Sequence, residues 1–263
     1  MKRYLFLTLA VLLCTLSASA YDFMVDSIAY FKNDDGKSVR VASGVDYKGD
    51  IVIPENMTYD GVTYSVTSIG ENAFSGCTGL ASVTIPNTVS FIGGDAFSRC
   101  RGLTSVTIPN SVTKIGDRAF FYCTGLTSIT IPNSVSEIGF AAFCGCAGLA
   151  SVSIPNTVSF IGDVAFEETP WYNNQPDGVF YIGDVAYKFK GGMASGTAIY
   201  IKEGTVSISP GAFRGCTGLS SVTIPNSVAE IGFDTFQGCT GLSSVTIPNS
   251  VTKIGAYAFA DCI

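Results

Sequence analysis

The residues with chemical potential in this 263-residue chain are nine cysteines, twenty-one carboxylates and many serines and threonines; histidine is missing altogether. That removes the commonest general base, the Ser-His-Asp and Cys-His nucleophile arrangements, and the usual zinc sites other than all-cysteine ones. Cysteines 77, 100, 123, 146, 216, 239 and 262 each fall three residues after a phenylalanine. In stacked units they would lie about 4.8 Å apart, inside the Cα range a disulfide tolerates, but with parallel instead of converging Cβ vectors. A buried, reduced ladder is therefore expected, whose apolar neighbours leave no ligand sphere for a metal. Cys144 stands off the ladder and is expected to be the reactive or bridging thiol. A hydrolase would need a carboxylate pair, and Asp163 with Glu167 or Glu168 is the nearest candidate. With no Gly-rich phosphate loop, Gly-x-Ser-x-Gly elbow or Cys-x-x-Cys pair, the chain reads as a non-enzyme without cofactor or metal.

The hydroxyls are patterned too. Ser82 and Thr84, Ser105 and Thr107, Ser128 and Thr130, Ser151 and Ser153, Ser221 and Thr223, and Ser244 and Thr246 flank single apolar residues, which places each pair on the outward side of a strand. Such a grid can bind sugar hydroxyls or ordered water. It also suits an ordinary wet sheet face.

The elements that position these groups repeat. Ile-Pro recurs at 85, 108, 131, 154, 224 and 247, Ile-Gly at 69, 92, 115, 138, 161, 231 and 254, with a period of 23 residues wherever neighbouring units are uninterrupted. Within a unit, Leu80, Val83 and Ile85 predict a strand ended by Pro86, which has no N–H to donate. Val89 to Ile92 predicts a second short extended piece, Gly93 a turn, and Asp95-Ala96-Phe97 a single helical or 3₁₀ turn. A period of 20–29 with fixed aliphatic offsets reads as a solenoid whose core is buried by stacking. The unit Ser-Val-x-Ile-Pro-Asn-x-Val-x-x-Ile-Gly-x-x-Ala-Phe-x-x-Cys closely resembles the BspA-type (treponemal-type) leucine-rich repeats of bacterial surface proteins. The resemblance covers roughly residues 66 to 263 and implies an exported, non-enzymatic scaffold used in adhesion or binding. The expected fold is a β-rich α/β solenoid, a leucine-rich-repeat superhelix of 23-residue units with short strands and short helical or 3₁₀ turns, plus an N-terminal β cap.

Within the repeats the strand hardly changes, whereas the residue before Ile-Gly reads Phe91, Lys114, Glu137, Phe160, Glu230 and Lys253. The two residues after Ile-Gly also vary and supply Arg118, Phe140, Phe233 and Tyr257; Phe121 and Tyr122 follow nearby. Exposed aromatic and charged residues of this kind anchor protein interfaces, so this variable face is the candidate partner-binding site.

The period lapses twice. Residues 167–198 form an irregular insert, in which Val179–Ile182 and Val185–Phe189 flank Gly183-Asp184 as a hairpin before the repeat resumes at Ile199-Tyr200-Ile201. Residues 21–66 are expected to cap the solenoid of residues 67–263 with two hairpins, one between Phe23–Lys32 and Ser38–Val41, the other around Asp60-Gly61. Residues 1–20 read as a signal peptide cleaved after Ala20, too short in its apolar run to span a bilayer. Removing them leaves thirteen cationic against twenty-one acidic residues, a balance that does not invite nucleic acid. With 47% hydrophobic and 14% charged residues the chain has ample surface to bury. The sequence therefore predicts a secreted or cell-surface module without a transmembrane segment. Its expected partner is an extracellular protein, such as a host matrix component. A glycan or ice surface at the hydroxyl grid is the alternative, and the C-terminal end is a further site for self-association.

Overall fold

The computed structural model describes residues 21–262, so the expected signal peptide lies outside the described residues. The fold is a β-solenoid of about nine turns. One column of strands comprises Gly49–Val52, Leu80–Thr84, Ser105–Thr107, Ser128–Thr130 and Ser151–Ser153, then Thr197–Tyr200, Leu219–Thr223 and Ser244–Thr246. Its pairings are parallel, with Ser82 opposite Ser105, Ser128 opposite Ser151 and Ser221 opposite Ser244. A 23-residue step in sequence is thus one rung in space. The chain then turns at Ile-Pro, where Val89 N–H donates to the Pro86 carbonyl at 3.1 Å, as Val112 does to Pro109 and Val135 to Pro132.

A second column holds two-residue strands, Phe91–Ile92, Lys114–Ile115, Glu137–Ile138 and Phe160–Ile161, stacked in register on Ser68 and Ile69 of the strand Val62–Ile69. Each isoleucine points into the core and is fully buried. The glycine that follows is required by close approach: a Cβ on Gly93 would lie 2.7 Å from the backbone of Gly70 and Glu71, and one on Gly116 equally close to Gly93 and Gly94. The turn freedom expected of Gly93 falls two residues later instead. Asn72, Asp95, Arg118, Ala141, Val164, Asp234 and Tyr257 all have φ between 51° and 59°.

The third column is realised as successive hydrogen-bonded turns, without a helix. Amides alternate between two partners. Ala96, Ser98 and Cys100 donate within the turn to Gly93, Asp95 and Phe97, while Asp95, Phe97 and Arg99 donate to Asp117, Ala119 and Phe121 of the next rung. Every backbone donor is therefore used in a segment too short for helix nucleation. Inside the column the rings of Phe74, Phe97, Phe120, Phe143 and Phe166 stack face to face at 5.0–5.3 Å. Phe213, Phe236 and Phe259 continue at 5.2–5.3 Å.

Two regions interrupt the stack. Phe23–Lys32 is two strands, Phe23–Val25 and Ile28–Lys32, because Asp26 and Ser27 both adopt positive φ and make a tight turn. Ile28–Lys32 pairs antiparallel with Ser38–Val41, which in turn lies parallel on Val62–Ile69. Gly49–Val52 is also a rung: Ile51 faces Val83 and Val52 faces Thr84. In the insert, Gly178–Ile182 and Val185–Lys190 form the expected hairpin. Before it, Thr169 stands where a cysteine belongs. Its hydroxyl donates to Phe166 O at 2.7 Å and accepts from Tyr172 N–H, capping the short helix Pro170–Asn173. The insert divides the core: one cluster runs from Phe23 to Tyr187, the other from Ala186 to Ala258.

Candidate binding faces

Stacking converts sequence variation into one continuous surface. Phe91, Lys114, Glu137 and Phe160 occupy successive rungs of the short-strand column, and Glu230 and Lys253 occupy neighbouring rungs beyond the insert. Lys114 pairs with Glu137 at 2.8 Å and Lys253 with Glu230 at 2.6 Å, both at the surface, where such pairs add little stability. Phe140, Phe233 and Tyr257 project beside this row with 40%, 45% and 65% of their surface exposed. Tyr257 packs edge-on against Phe233 at 5.6 Å, and the Arg118 guanidinium lies 5.5 Å from the Phe140 ring centre. Phe121 and Tyr122 are half-buried further along the turn, and Tyr122 donates its hydroxyl to Glu168 at 2.9 Å.

The insert gathers part of this face into a pocket of about 330 Å³ lined by Phe140, Phe160, Phe233, Pro210, Asp117, Asp163 and Arg214. Pro210 and Arg214 are functional candidates that the sequence reading missed, whereas Asp117 is one of the variable residues after Ile-Gly. Pro210 and Arg214 lie beyond the insert, and only its folding back brings them to Asp163. Behind the pocket, Asp163 is buried and accepts from Lys188 and Arg214, each at 2.8 Å; Arg214 also reaches Asp234 at 2.8 Å. Glu167 accepts from the Tyr187 hydroxyl at 2.6 Å, and burial raises its pKa above the ordinary carboxylate value. Asp163 and Glu167, of the carboxylates considered for hydrolysis, are thus engaged in an ion-pair and hydrogen-bond network joining the two halves of the core, and Glu168 accepts from Tyr122 at the surface.

The hydroxyl grid lies on the other column. Ser105, Thr107, Ser128, Thr130, Ser151 and Ser153 are exposed, as are Thr84, Thr223, Ser244 and Thr246, while Ser221 is half-buried. Ser82 donates to Asp50 at 2.6 Å. Hydroxyls elsewhere in the repeat, at Ser90, Thr113, Ser136 and Ser159, donate to carbonyls of the preceding rung. Those of Ser105, Thr107, Ser128, Thr130 and Ser153 have no such protein partner, and with Asn110 and Asn133 they line a trough of about 760 Å³.

The eight described cysteines are all free. Cys100, Cys123, Cys146 and Cys239 donate their thiols to the carbonyls of Phe74, Phe97, Phe120 and Phe213 at 2.9–3.1 Å, and burial pushes Cys100, Cys146 and Cys239 up to about 12. The reactivity expected of Cys144 is overturned. It is 8% exposed, and burial, with Glu168 and Glu167 nearby, raises its pKa to about 11, the reverse of what an active thiol requires. Among the described residues no group of three or more acidic or sulfur ligands is placed to hold a metal, and no helix is long and apolar enough to cross a membrane.

Comparison with known families finds the BspA type leucine-rich repeat region, in six copies, over residues 54–172 and 181–263. The chain belongs to that family. Among solved structures, the BspA-type chain is similar to the leucine-rich repeat protein TpLRR of T. pallidum, with 26% identity, a TM-score of 0.48, and coverage of 89% of this chain and 86% of that one. A leucine-rich cell surface protein from Faecalibacterium prausnitzii is 24% identical, with a TM-score of 0.46 and coverage of 92% and 80%. No curated protein matches.

Proposed function

We propose that this BspA-type chain is an exported binding module that recognises an extracellular protein through its variable face. The observation that carries the reading is the phenyl-lined pocket. Residues that vary from rung to rung converge there with exposed rings beside a fixed ion-pair network, the combination of apolar anchors and polar surround that characterises hot spots. The experiment is binding of residues 21–263 to an array of matrix proteins and glycans. A saturable protein partner, lost when Phe91, Phe140 and Phe160 are changed to Ser, is expected. Undiminished binding by that triple variant sinks the assignment to this face.

The trough favours a second reading. Its hydroxyls and amides carry no charge and are left free by the fold, which suits an uncharged polyhydroxyl ligand. A glycan signal lost on changing Ser105, Thr107, Ser128 and Thr130 would move the function to the grid. Thermal hysteresis would separate ice from sugar.

A further inference from the structure

The pocket at the insert sets three phenyl rings beside a carboxylate that has no ion-pair partner. Asp163, on the lining, and Asp234 are matched by Lys188 and Arg214. Asp117, also on the lining and exposed, forms no ion pair within 4 Å; its Oδ1 accepts from the Phe140 N–H at 2.8 Å. Three phenyl rings, from Phe140, Phe160 and Phe233, complete the wall. Aromatic faces carry negative potential and attract cations, more strongly where water is excluded, and an unpaired carboxylate adds a directional acceptor. The Phe140 ring already takes the Arg118 guanidinium on its surface. The chain as a whole has a net charge of −6, which steers cationic partners toward it.

From this geometry we infer that the pocket receives a cationic side chain, arginine or lysine, presented by the protein partner, held between the phenyl rings with its charge on Asp117. The inference rests on the binding role proposed for the variable face and names the chemistry the partner brings. Arg214, also on the lining, is already ion-paired through both terminal nitrogens with Asp163 and Asp234. An anionic ligand would share it with those two carboxylates and would meet the unpaired charge of Asp117.

The test uses residues 21–263 labelled with ¹⁵N and titrated with N-acetyl-arginine methylamide and N-acetyl-lysine methylamide. Their uncharged counterparts, the citrulline and norleucine derivatives, and benzoate serve as competitors in kind. Shifts confined to the backbone around residues 117, 140, 160 and 233, at least fivefold tighter for a cationic probe than for its neutral counterpart, are expected. Asp117→Asn retains the acceptor for the Phe140 N–H and should weaken the cation five- to tenfold, leaving the neutral probes unchanged; Phe233→Ser should weaken all of them. Equal binding of arginine and citrulline derivatives, preference for benzoate, or indifference to Asp117→Asn overturns the inference. A partner lost with Phe91, Phe140 and Phe160 but retained by Asp117→Asn would leave the binding face standing and remove only its cation chemistry.

Discussion

Replacing Asp163 by Asn keeps the side-chain volume and one carbonyl oxygen but removes the charge shared by Lys188 and Arg214. The carboxylate is 8% exposed, Lys188 20% and Arg214 38%, and both contacts are 2.8 Å. Breaking a buried pair by deleting one partner costs about 3–5 kcal/mol, chiefly because a charge is left uncompensated. Here each cation retains another carboxylate, Arg214 with Asp234 at 2.8 Å and Lys188 with Glu167 at 3.9 Å, and Arg214 is partly hydrated. The expected loss is about 2–3 kcal/mol, concentrated at the junction of the two core clusters. In a solenoid, stability is a sum of unit and interface contributions, so weakening one interface uncouples its neighbours. Trp171 packs edge-on against Phe166 at 5.1 Å and Phe180 at 5.7 Å, so its fluorescence reports the first cluster, while far-ultraviolet circular dichroism reports both. Urea unfolding followed by the two signals should coincide in the parent chain and separate in Asp163→Asn. Coincident curves displaced by less than about 0.5 kcal/mol, the scale of an ordinary surface change, would refute the idea that this network joins the halves.

Phe120→Ala should cost about 4–5 kcal/mol, because the ring is fully buried and stacked on both sides, and Phe259→Ala about half that, since Phe259 is half-buried with its stacking contact on Phe236; equal urea midpoints would contradict the ladder's role. Val164 is the one β-branched residue among the positive-φ positions, at 51°, and Val164→Asn should stabilise by about 1 kcal/mol, read as a higher thermal midpoint. The buried thiols bind their protons more tightly in the folded chain than in the unfolded one. Their contribution to stability should therefore be level below pH 9 and fall as pH rises from about 9 toward the folded values of about 12 at Cys100, Cys146 and Cys239. Urea midpoints at pH 7, 8.5 and 10 check the sign, and a midpoint that rises at pH 10 would reverse it. Native protein should also leave Cys144 unlabelled by a thiol reagent over the time in which unfolded protein reacts fully.

What could be read in advance was whatever the period controls. The long strand, its stop at Pro86, the return to Ile92 and the phenylalanine and cysteine ladders all follow from residues whose neighbours in space are 23 positions away, and the Gly183-Asp184 hairpin from a local turn signal between two apolar runs. The misreadings arise where another distance decides. Gly93 looks like a turn residue from its own unit, and only the backbone of Gly70 against it shows why a Cβ is excluded. Gly49–Val52 is a rung, and its Ile53-Pro54 lies 32 residues before Ile85-Pro86, because the hairpin of Asn56–Tyr59 with Val62–Ile69 intervenes and breaks the count. The pocket was half legible. Asp117, Phe140, Phe160 and Phe233 announce themselves by varying, whereas Arg214 looks like a routine turn cation until the insert brings it to Asp163.

The division between fixed and variable positions is itself a physical constraint. Inward isoleucines, glycines at closest approach, stacked rings and thiol donors each meet their counterpart one rung away, so a change in one unit disturbs two interfaces. The residue before Ile-Gly, and Asp117, Phe140 and Phe233 directly after it, meet their neighbours at the surface, through side-chain tips and ion pairs of small energy, as at Lys114 with Glu137. Substitutions there leave the stack intact, and recognition can change without refolding the scaffold. The insert extends that freedom: by interrupting the regular spacing once, it folds a flat row of side chains into a pocket, and the ion pairs of buried Asp163 and Asp234 with Lys188 and Arg214 keep the interruption from becoming a break.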